Sequence, residues 1–168
     1  LLLERVEVAV ADDGRVTVRD YGRGIPLGKV VECVSHINTG AKYNDDVFQF
    51  SVGLNGVGTK AVNALSQSFR VCSCRAGECV EALFDRGKLE RERRAKTTER
   101  NGTLVEFLPD RQIFGEYAFR AEHLERRLRL YAYLNAGLAI EYHGTTLRSE
   151  QGLLDLLQDE VQFEKIYP

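Results

Sequence analysis

The order in which apolar residues change their spacing along the chain constrains the fold most. A two-residue alternation at Val6, Val8 and Val10 predicts a strand with one buried face. The hairpin turn signal around Gly14 follows, and residues 16–19 predict the return strand. Further strands are predicted at residues 69–75, 79–84, 103–108 and 138–142. The chain therefore contains a substantial sheet with at least two hairpins.

Helical spacing interrupts these strands in four places. One helix is expected from Gly28 to about residue 40, a second directly after Gly58, a third over residues 118–135 and a last one near Leu153. Their apolar positions are Val30, Cys33, Val34 and Ile37; Ala61, Val62, Leu65 and Phe69; Leu124, Leu128, Tyr131 and Leu134; Leu153, Leu154, Leu156 and Leu157. Residues 41–52 fit neither period and are interpreted as a long loop.

Strands and helices do not alternate strictly, so a doubly wound parallel sheet is not favoured. We predict an α+β fold, a mixed β-sheet with helices packed on one face. The length of 168 residues suits one domain. Residues 85–100 are dense in charge of both signs and are interpreted as solvated surface.

Composition excludes several classes of function. The net charge of −2 gives no global electrostatic case for wrapping nucleic acid, and no apolar run approaches a membrane span. The cysteines, Cys33, Cys72, Cys74 and Cys79, lack zinc-site spacing and are interpreted as reduced residues of a cytoplasmic protein. Whether Cys74 and Cys79 pair across their hairpin stays open. Methionine is absent even at position 1, so we expect a piece of a longer protein.

Two glycine-rich segments are candidates for ligand binding. Asp20 ends a strand and is followed by Gly22 and Gly24, which suits a carboxylate beside a closely approaching flat ligand; the alternative is a structural turn in which Asp20 caps a helix. Residues 53–58 precede a helix and suit an anion site; the alternative is a glycine hinge. A Walker A loop is rejected because Gly58 is followed by Thr-Lys.

Taken together, these segments resemble the ATP-binding domain of bacterial type IIA DNA topoisomerases, a branch of the GHKL ATPases with the Bergerat fold. The motifs that carry the resemblance are VRDYGRGIP at residues 18–26, NTGAKY at 38–43, GLNGVGTKAVNALS at 53–66, NGT at 101–103 and YLNAG at 133–137. The chain looks most similar to the B subunits of topoisomerase IV, with gyrase B subunits as the alternative. Another GHKL ATPase, of the mismatch-repair or chaperone type, is the more distant alternative.

The resemblance implies a role for each matching residue. Asp20 would accept the adenine amine beside Thr103, Gly24 would let the base lie close to the backbone, and Arg23 and Pro26 would line the adenine edge. The other residues implied to line the ATP site are Ile25, Lys42, Leu54, Asn55, Gly56, Val57, Gly58 and Arg75. Within that set, residues 54–58 and Lys42 would serve the phosphates, in a lid over about residues 39–58. Arg75 matches an arginine near which inhibitors of the family bind.

The resemblance also implies what the chain lacks. The family's general-base glutamate and Mg²⁺-linked asparagine are expected on a helix before Leu1, and the transducer domain is expected after the chain. We therefore expect residues 1–168 to be a fragment of a GHKL ATP-binding domain, inactive alone, with no catalytic or metal-binding residue of its own. The implied cofactors are ATP and Mg²⁺. The implied partners of the full-length cytoplasmic protein are DNA, a second copy on ATP binding, and the topoisomerase A subunit, with no membrane.

Overall fold

The computed structural model describes residues 3–35 and 57–161. Several sequence predictions concern residues outside these ranges: the end of the first helix, the loop at 41–52, the lid, Lys42, Leu54, Asn55 and Gly56. Within the described residues, eight strands form one sheet in the order β5-β4-β3-β6-β2-β1-β7-β8. All neighbouring pairs are antiparallel except β1 and β7, so the sheet is mixed as predicted.

The elements follow one another along the chain with short connections. The strands are β1 (Arg5–Val10), β2 (Val16–Asp20), β3 (Ser66–Arg75), β4 (Glu78–Asp85), β5 (Lys88–Lys96), β6 (Gly102–Pro109), β7 (Ala139–Tyr142) and β8 (Thr145–Leu147). The helices are α1 (Val30–Ser35), preceded by a 3₁₀ turn at Leu27–Lys29, α2 (Gly58–Ala64), α3 (Arg111–Phe114), α4 (Ala121–Leu134) and α5 (Leu153–Val161). None of these described helices has the length and hydropathy to cross a bilayer.

Two apolar clusters hold the helices on one face of the sheet. The larger joins α1 to β3 and β4 and consists of Val30, Val34, Phe69, Val71, Val80, Ala82 and Phe84. The smaller joins α4 to β7 and β8 through Ala132, Leu138, Ile140 and Leu147, with Val6 and Val8 of β1 packed against it. Side chains alternate between the faces of a strand, so these residues define a helix-covered face and leave an open face.

The structure corrects the predicted second helix. We expected Phe69 on that helix, but α2 ends at Ala64 and Phe69 lies in β3. The Phe69 ring meets the Phe84 ring of β4 edge to face, with centroids 5.9 Å apart. The contact across the hairpin places Phe69 in the core, and local spacing alone carries no information about such a partner.

Two further expectations need adjustment at the edges of the fold. Residues 85–100 are indeed exposed, but they include strand β5, which pairs with β4 at the sheet edge. On α4, Tyr131 and Leu134 are exposed rather than buried, whereas Ala132 and Tyr133 are buried. The face of α4 toward β7 and β8 is therefore turned relative to the predicted apolar stripe. Neither α3 nor β8 was predicted.

Candidate nucleotide-binding site

Asp20 stands at the end of β2, where the chain turns away from the sheet. Its carboxylate oxygen Oδ1 accepts a hydrogen bond from the Gly22 amide at 2.9 Å, which closes a local turn. Asp20 is half-buried and lies on the same face of β2 as Val16 and Val18, toward the helices. The turn itself uses one carboxylate oxygen, and the second oxygen, Oδ2, is within reach of a ligand on that face.

A row of polar side chains crosses three strands at the level of Asp20. Thr103 of β6 pairs with Ser73 of β3, and the register that pairs Arg19 with Leu104 brings Thr103 beside Asp20. The next row on the same face is apolar: Val18 lies opposite Val105, which lies opposite Val71. The hydrophobic core therefore ends where this polar row begins, at one end of the helix-covered face.

Gly24 brings the turn after β2 against the end of β3. Its φ is +72°, and a Cβ there would stand 2.9 Å from both the Cys74 carbonyl oxygen and the Ser73 Oγ. The Ser73 hydroxyl, which is fully buried, donates a hydrogen bond to the Ile25 carbonyl at 2.8 Å. The turn is thus fastened to β3 by a close backbone approach and one buried hydrogen bond.

The remaining predicted residues in the described ranges surround this turn. Ile25 packs against the larger apolar cluster, and Pro26 precedes the 3₁₀ turn that leads into α1. Arg23 is exposed, and the Cγ of Arg75 stands 3.0 Å from the Cβ position of Gly24. The structure therefore brings Asp20, Thr103, Gly24 and Arg75 to one region.

The second glycine segment is described only from Val57 onward. Val57 and Gly58 are exposed at the start of α2. Asn63 of α2 is buried, and its Nδ2 donates to the Val34 carbonyl of α1 at 3.0 Å. The two helices are therefore fixed to each other beside the larger cluster.

Tyr21, directly after Asp20, turns to the open face instead. Its hydroxyl donates to Glu7 at 2.9 Å, and this hydrogen bond, followed by burial, raises the Tyr21 pKa. The guanidinium carbon of Arg19 lies 5.0 Å from the centre of the Tyr21 ring. Tyr21 therefore belongs to a structural cluster behind the candidate site.

The cysteines lie on both sides of the sheet. The structure joins Cys74 and Cys79 in a disulfide across the β3–β4 hairpin, contrary to the expectation that all four are reduced. The register explains the pairing, because Cys74 is the direct neighbour of Cys79. Cys33 and Cys72 are free thiols, and burial raises the pKa of each.

Sequence reasoning missed Ser73, which touches Gly24 and bonds Ile25. A signal for it exists in β3: the inward positions Phe69 and Val71 are apolar, and Ser73 is the next inward position. A small hydroxyl where the alternation calls for an apolar side chain indicates a buried hydrogen bond.

Comparisons with known proteins agree with this geometry. The chain is 57% identical over 155 residues to the B subunit of DNA topoisomerase 4 from Borreliella burgdorferi, covering 92% of the chain and 26% of that protein. It is 36% identical over 173 residues to the B subunit of DNA gyrase from Archaeoglobus fulgidus, covering 92% of the chain and 27% of that protein. The chain thus spans about a quarter of the length of these curated relatives. No protein-family model matches it.

Solved structures show the same fold. The 43K ATPase domain of Thermus thermophilus gyrase B, in complex with an aminocoumarin, superimposes with a TM-score of 0.78 at 28% identity, covering 99% of the chain and 46% of that domain. The ATPase region of Saccharomyces cerevisiae topoisomerase II has a TM-score of 0.79 at 20% identity, covering 95% and 47%, and supports the fold alone. The predicted GHKL-type α+β fold is confirmed.

Proposed function

The chain belongs to the family of bacterial type IIA DNA topoisomerase B subunits, and on that premise we propose that it forms the adenine-binding part of an ATP site. The observation that carries the proposal is the polar row of Asp20, Thr103 and Ser73, closed by the turn at Gly24. A flat base fits against this row because the Gly24 backbone carries no side chain toward it.

The chemistry of the row favours adenine over guanine. The Asp20 carboxylate accepts hydrogen bonds only, so it pairs with the exocyclic amine of adenine. Guanine presents a carbonyl oxygen at the corresponding position, which would meet the carboxylate as a second acceptor. Thr103, beside Asp20, supplies a hydroxyl that donates or accepts, and it suits a ring nitrogen or a bridging water.

The phosphates are assigned to the second glycine segment. We assign the backbone amides of Leu54, Asn55, Gly56, Val57 and Gly58 to the triphosphate, with Lys42 near it; of these, only Val57 and Gly58 are described. A helix start offers unpaired N–H groups and a partial positive charge, which suits phosphate oxygens. We also propose that Arg23, Ile25, Pro26 and Arg75 line the site.

Mg²⁺ is proposed as a cofactor that arrives with ATP. The group of candidate metal ligands found among the described residues consists of three cysteine sulfurs, whereas Mg²⁺ takes oxygen ligands. The described residues therefore do not fit Mg²⁺, and none of them is assigned to it.

At the level of the whole protein, we propose an ATP-dependent type II topoisomerase B subunit of the topoisomerase IV type. The 57% identity to a topoisomerase IV relative, compared with 36% to a gyrase relative, favours this type over the gyrase alternative. In such a protein, ATP binding would close a dimer gate for DNA strand passage. Other domains would contact the A subunit of the enzyme and DNA, and the setting would be the cytoplasm. Residues 1–168 would be part of its GHKL domain, without the catalytic helix and transducer domain.

Nucleotide titration of the ¹⁵N-labelled chain tests the adenine site, because amide chemical shifts detect even weak binding. We expect ATP and ADP to shift the amides of Gly24 and Thr103, and GTP to leave them unchanged. Asp20→Asn should weaken ATP binding about 10- to 100-fold, since hydrogen bonds to charged groups contribute about 1.5–3 kcal/mol. Asp12→Asn, at an exposed turn position, is the matched control and should bind as the wild type does.

Two outcomes would contradict the proposal. One is equal shifts with GTP and ATP, which would remove the adenine-specific role of Asp20. The other is a shift pattern confined to the open face of the sheet. An aminocoumarin provides a second probe, since the T. thermophilus relative binds one. We expect Arg75→Ala to weaken aminocoumarin binding more than ATP binding.

A further inference from the structure

Three cysteine sulfurs meet on the open face of the sheet, away from the proposed nucleotide site. Cys72 and Cys74 are two residues apart in β3 and so point to the same side, and Cys79 lies directly across from Cys74 in β4. The three Sγ atoms all lie within 4.8 Å of one another, and the Cys72 and Cys74 sulfurs are 4.0 Å apart. Thiolate sulfur is the ligand that soft metal ions prefer.

The cluster borders a cavity that gives it access from solvent. The cavity has a volume of about 610 Å³ and is lined by all three cysteines together with Arg93 and Lys96. Cys74 itself is 3% exposed, whereas Cys72 and Cys79 are half-buried. A metal ion and its water can therefore reach the sulfurs from the open face without movement of the helices.

We propose that, once the Cys74–Cys79 disulfide is reduced, Cys72, Cys74 and Cys79 bind one thiophilic metal ion, with Zn²⁺ as the physiological candidate. A dithiol reductant supplies the two electrons and two protons, so that the disulfide becomes two thiols and the reductant becomes a disulfide. Binding of the metal then releases one proton from each of the three thiols. The product is a three-sulfur site with a fourth position open to the cavity.

The geometry of the cluster matches this coordination. Zn–S bonds of about 2.3 Å at tetrahedral angles place the sulfurs about 3.8 Å apart. The Cys72–Cys74 separation of 4.0 Å is already close to that value. The Cα atoms of Cys74 and Cys79 are 4.1 Å apart, so rotation of their side chains is sufficient to separate the two sulfurs.

The charges around the cavity also suit a metal held by three thiolates. Three thiolates and one divalent cation leave a net charge of −1, and Arg93 and Lys96 carry positive charge on the same cavity wall. Arg70, in the same strand as Cys72, forms an ion pair with Glu81 at 2.7 Å, which keeps that carboxylate occupied. Water from the cavity is therefore the expected fourth ligand.

Co²⁺ titration of the reduced, metal-free chain tests the site, because Co²⁺ reports its ligands spectroscopically. We expect one Co²⁺ per chain, with thiolate charge-transfer bands and the strong visible bands of tetrahedral coordination, and displacement by Zn²⁺. Cys72→Ser should weaken binding by more than about 100-fold, since even a residue that only hydrogen-bonds a ligand contributes about 10–100-fold. Cys33→Ser is the matched control, because Cys33 lies on α1 on the helix-covered side, and it should change nothing.

Alkylation of the wild-type chain keeps the test decisive if a variant fails to fold. With Zn²⁺ bound, iodoacetamide should label Cys33 and spare the three cluster cysteines; without Zn²⁺, it should label the cluster as well. The proposal is overturned by an octahedral Co²⁺ spectrum, by equal Co²⁺ affinity of Cys72→Ser and the wild type, or by Zn²⁺ that protects Cys33 alone or no cysteine.

Discussion

Gly24 holds the turn of the candidate site in a conformation that an alanine cannot adopt without cost. Its φ of +72° lies in the left-handed region, where a side chain costs about 1–2 kcal/mol. A Cβ there would also stand 2.9 Å from the Cys74 carbonyl oxygen, which is backbone and moves only if β3 moves. We predict that Gly24→Ala destabilises the fold through both effects.

Two control substitutions separate the two effects. Gly144 has a φ of +75°, and a Cβ there would have nothing within 4 Å, so Gly144→Ala measures the conformational cost alone. Gly28 also has open space, without a positive φ, and Gly28→Ala should be close to neutral. We expect the free energy of unfolding to fall by about 1–2 kcal/mol for Gly144→Ala and by more for Gly24→Ala.

Urea denaturation and thermal melts of the three variants measure these differences. For a chain of this size, each kcal/mol lowers Tm by about 2–4 °C. The Gly24→Ala chain should melt lowest, and it should also bind ATP more weakly, because its turn is displaced from β3. If Gly24→Ala costs no more than Gly144→Ala, the close approach to β3 contributes nothing and our account of the site is wrong.

Three further substitutions test the packing around the site. Ser73→Ala leaves the Ile25 carbonyl without its donor and should cost about 1–3 kcal/mol in urea denaturation, whereas Ser68→Ala, at a half-buried position, should cost less. Arg86 lowers the Asp110 pKa through a hydrogen bond, so this pair stabilises the fold above the unfolded pKa near 3.9 and is lost as pH falls through the lower folded pKa. Asp110→Asn should therefore lower Tm at pH 7 and remove that acid dependence. Phe84→Ala, in the core, should cost about 3–5 kcal/mol, and an unchanged urea midpoint would contradict the assigned core.

Local patterns predicted the parts of the fold that one residue's neighbours in sequence determine. The alternation in β1 and β2 was sufficient because one face of each strand is buried. Asp20 and Thr103 were identified separately, and the structure places them beside each other through the antiparallel register of β2 and β6. The turn at Arg75 was also predicted, and Ala76 and Gly77 form it with positive φ.

The parts that were missed depend on partners distant in sequence. Strand β5 lacks an apolar alternation because it is an edge strand exposed along its length, and charged side chains at an edge oppose pairing with other chains. The signal available for it was the Arg86-Gly87 turn, in which both residues have positive φ, as in tight hairpins. His143-Gly144 provides the same signal for β8. The disulfide required the register of β3 and β4, which composition does not contain.

The end of β3 connects the two sites that we propose. Cys74 contributes its carbonyl oxygen to the contact with Gly24 on the helix-covered side and its sulfur to the cysteine cluster on the open side. Ser73, one residue earlier, holds the Ile25 carbonyl. Any bond between Cys74 and Cys79, through a disulfide or a metal, ties β3 to β4 at this level and restrains the carbonyl against which the nucleotide turn packs. The oxidation state and metal content of the cluster therefore act on the same few atoms that position Gly24, so both need to be fixed when nucleotide affinity is measured.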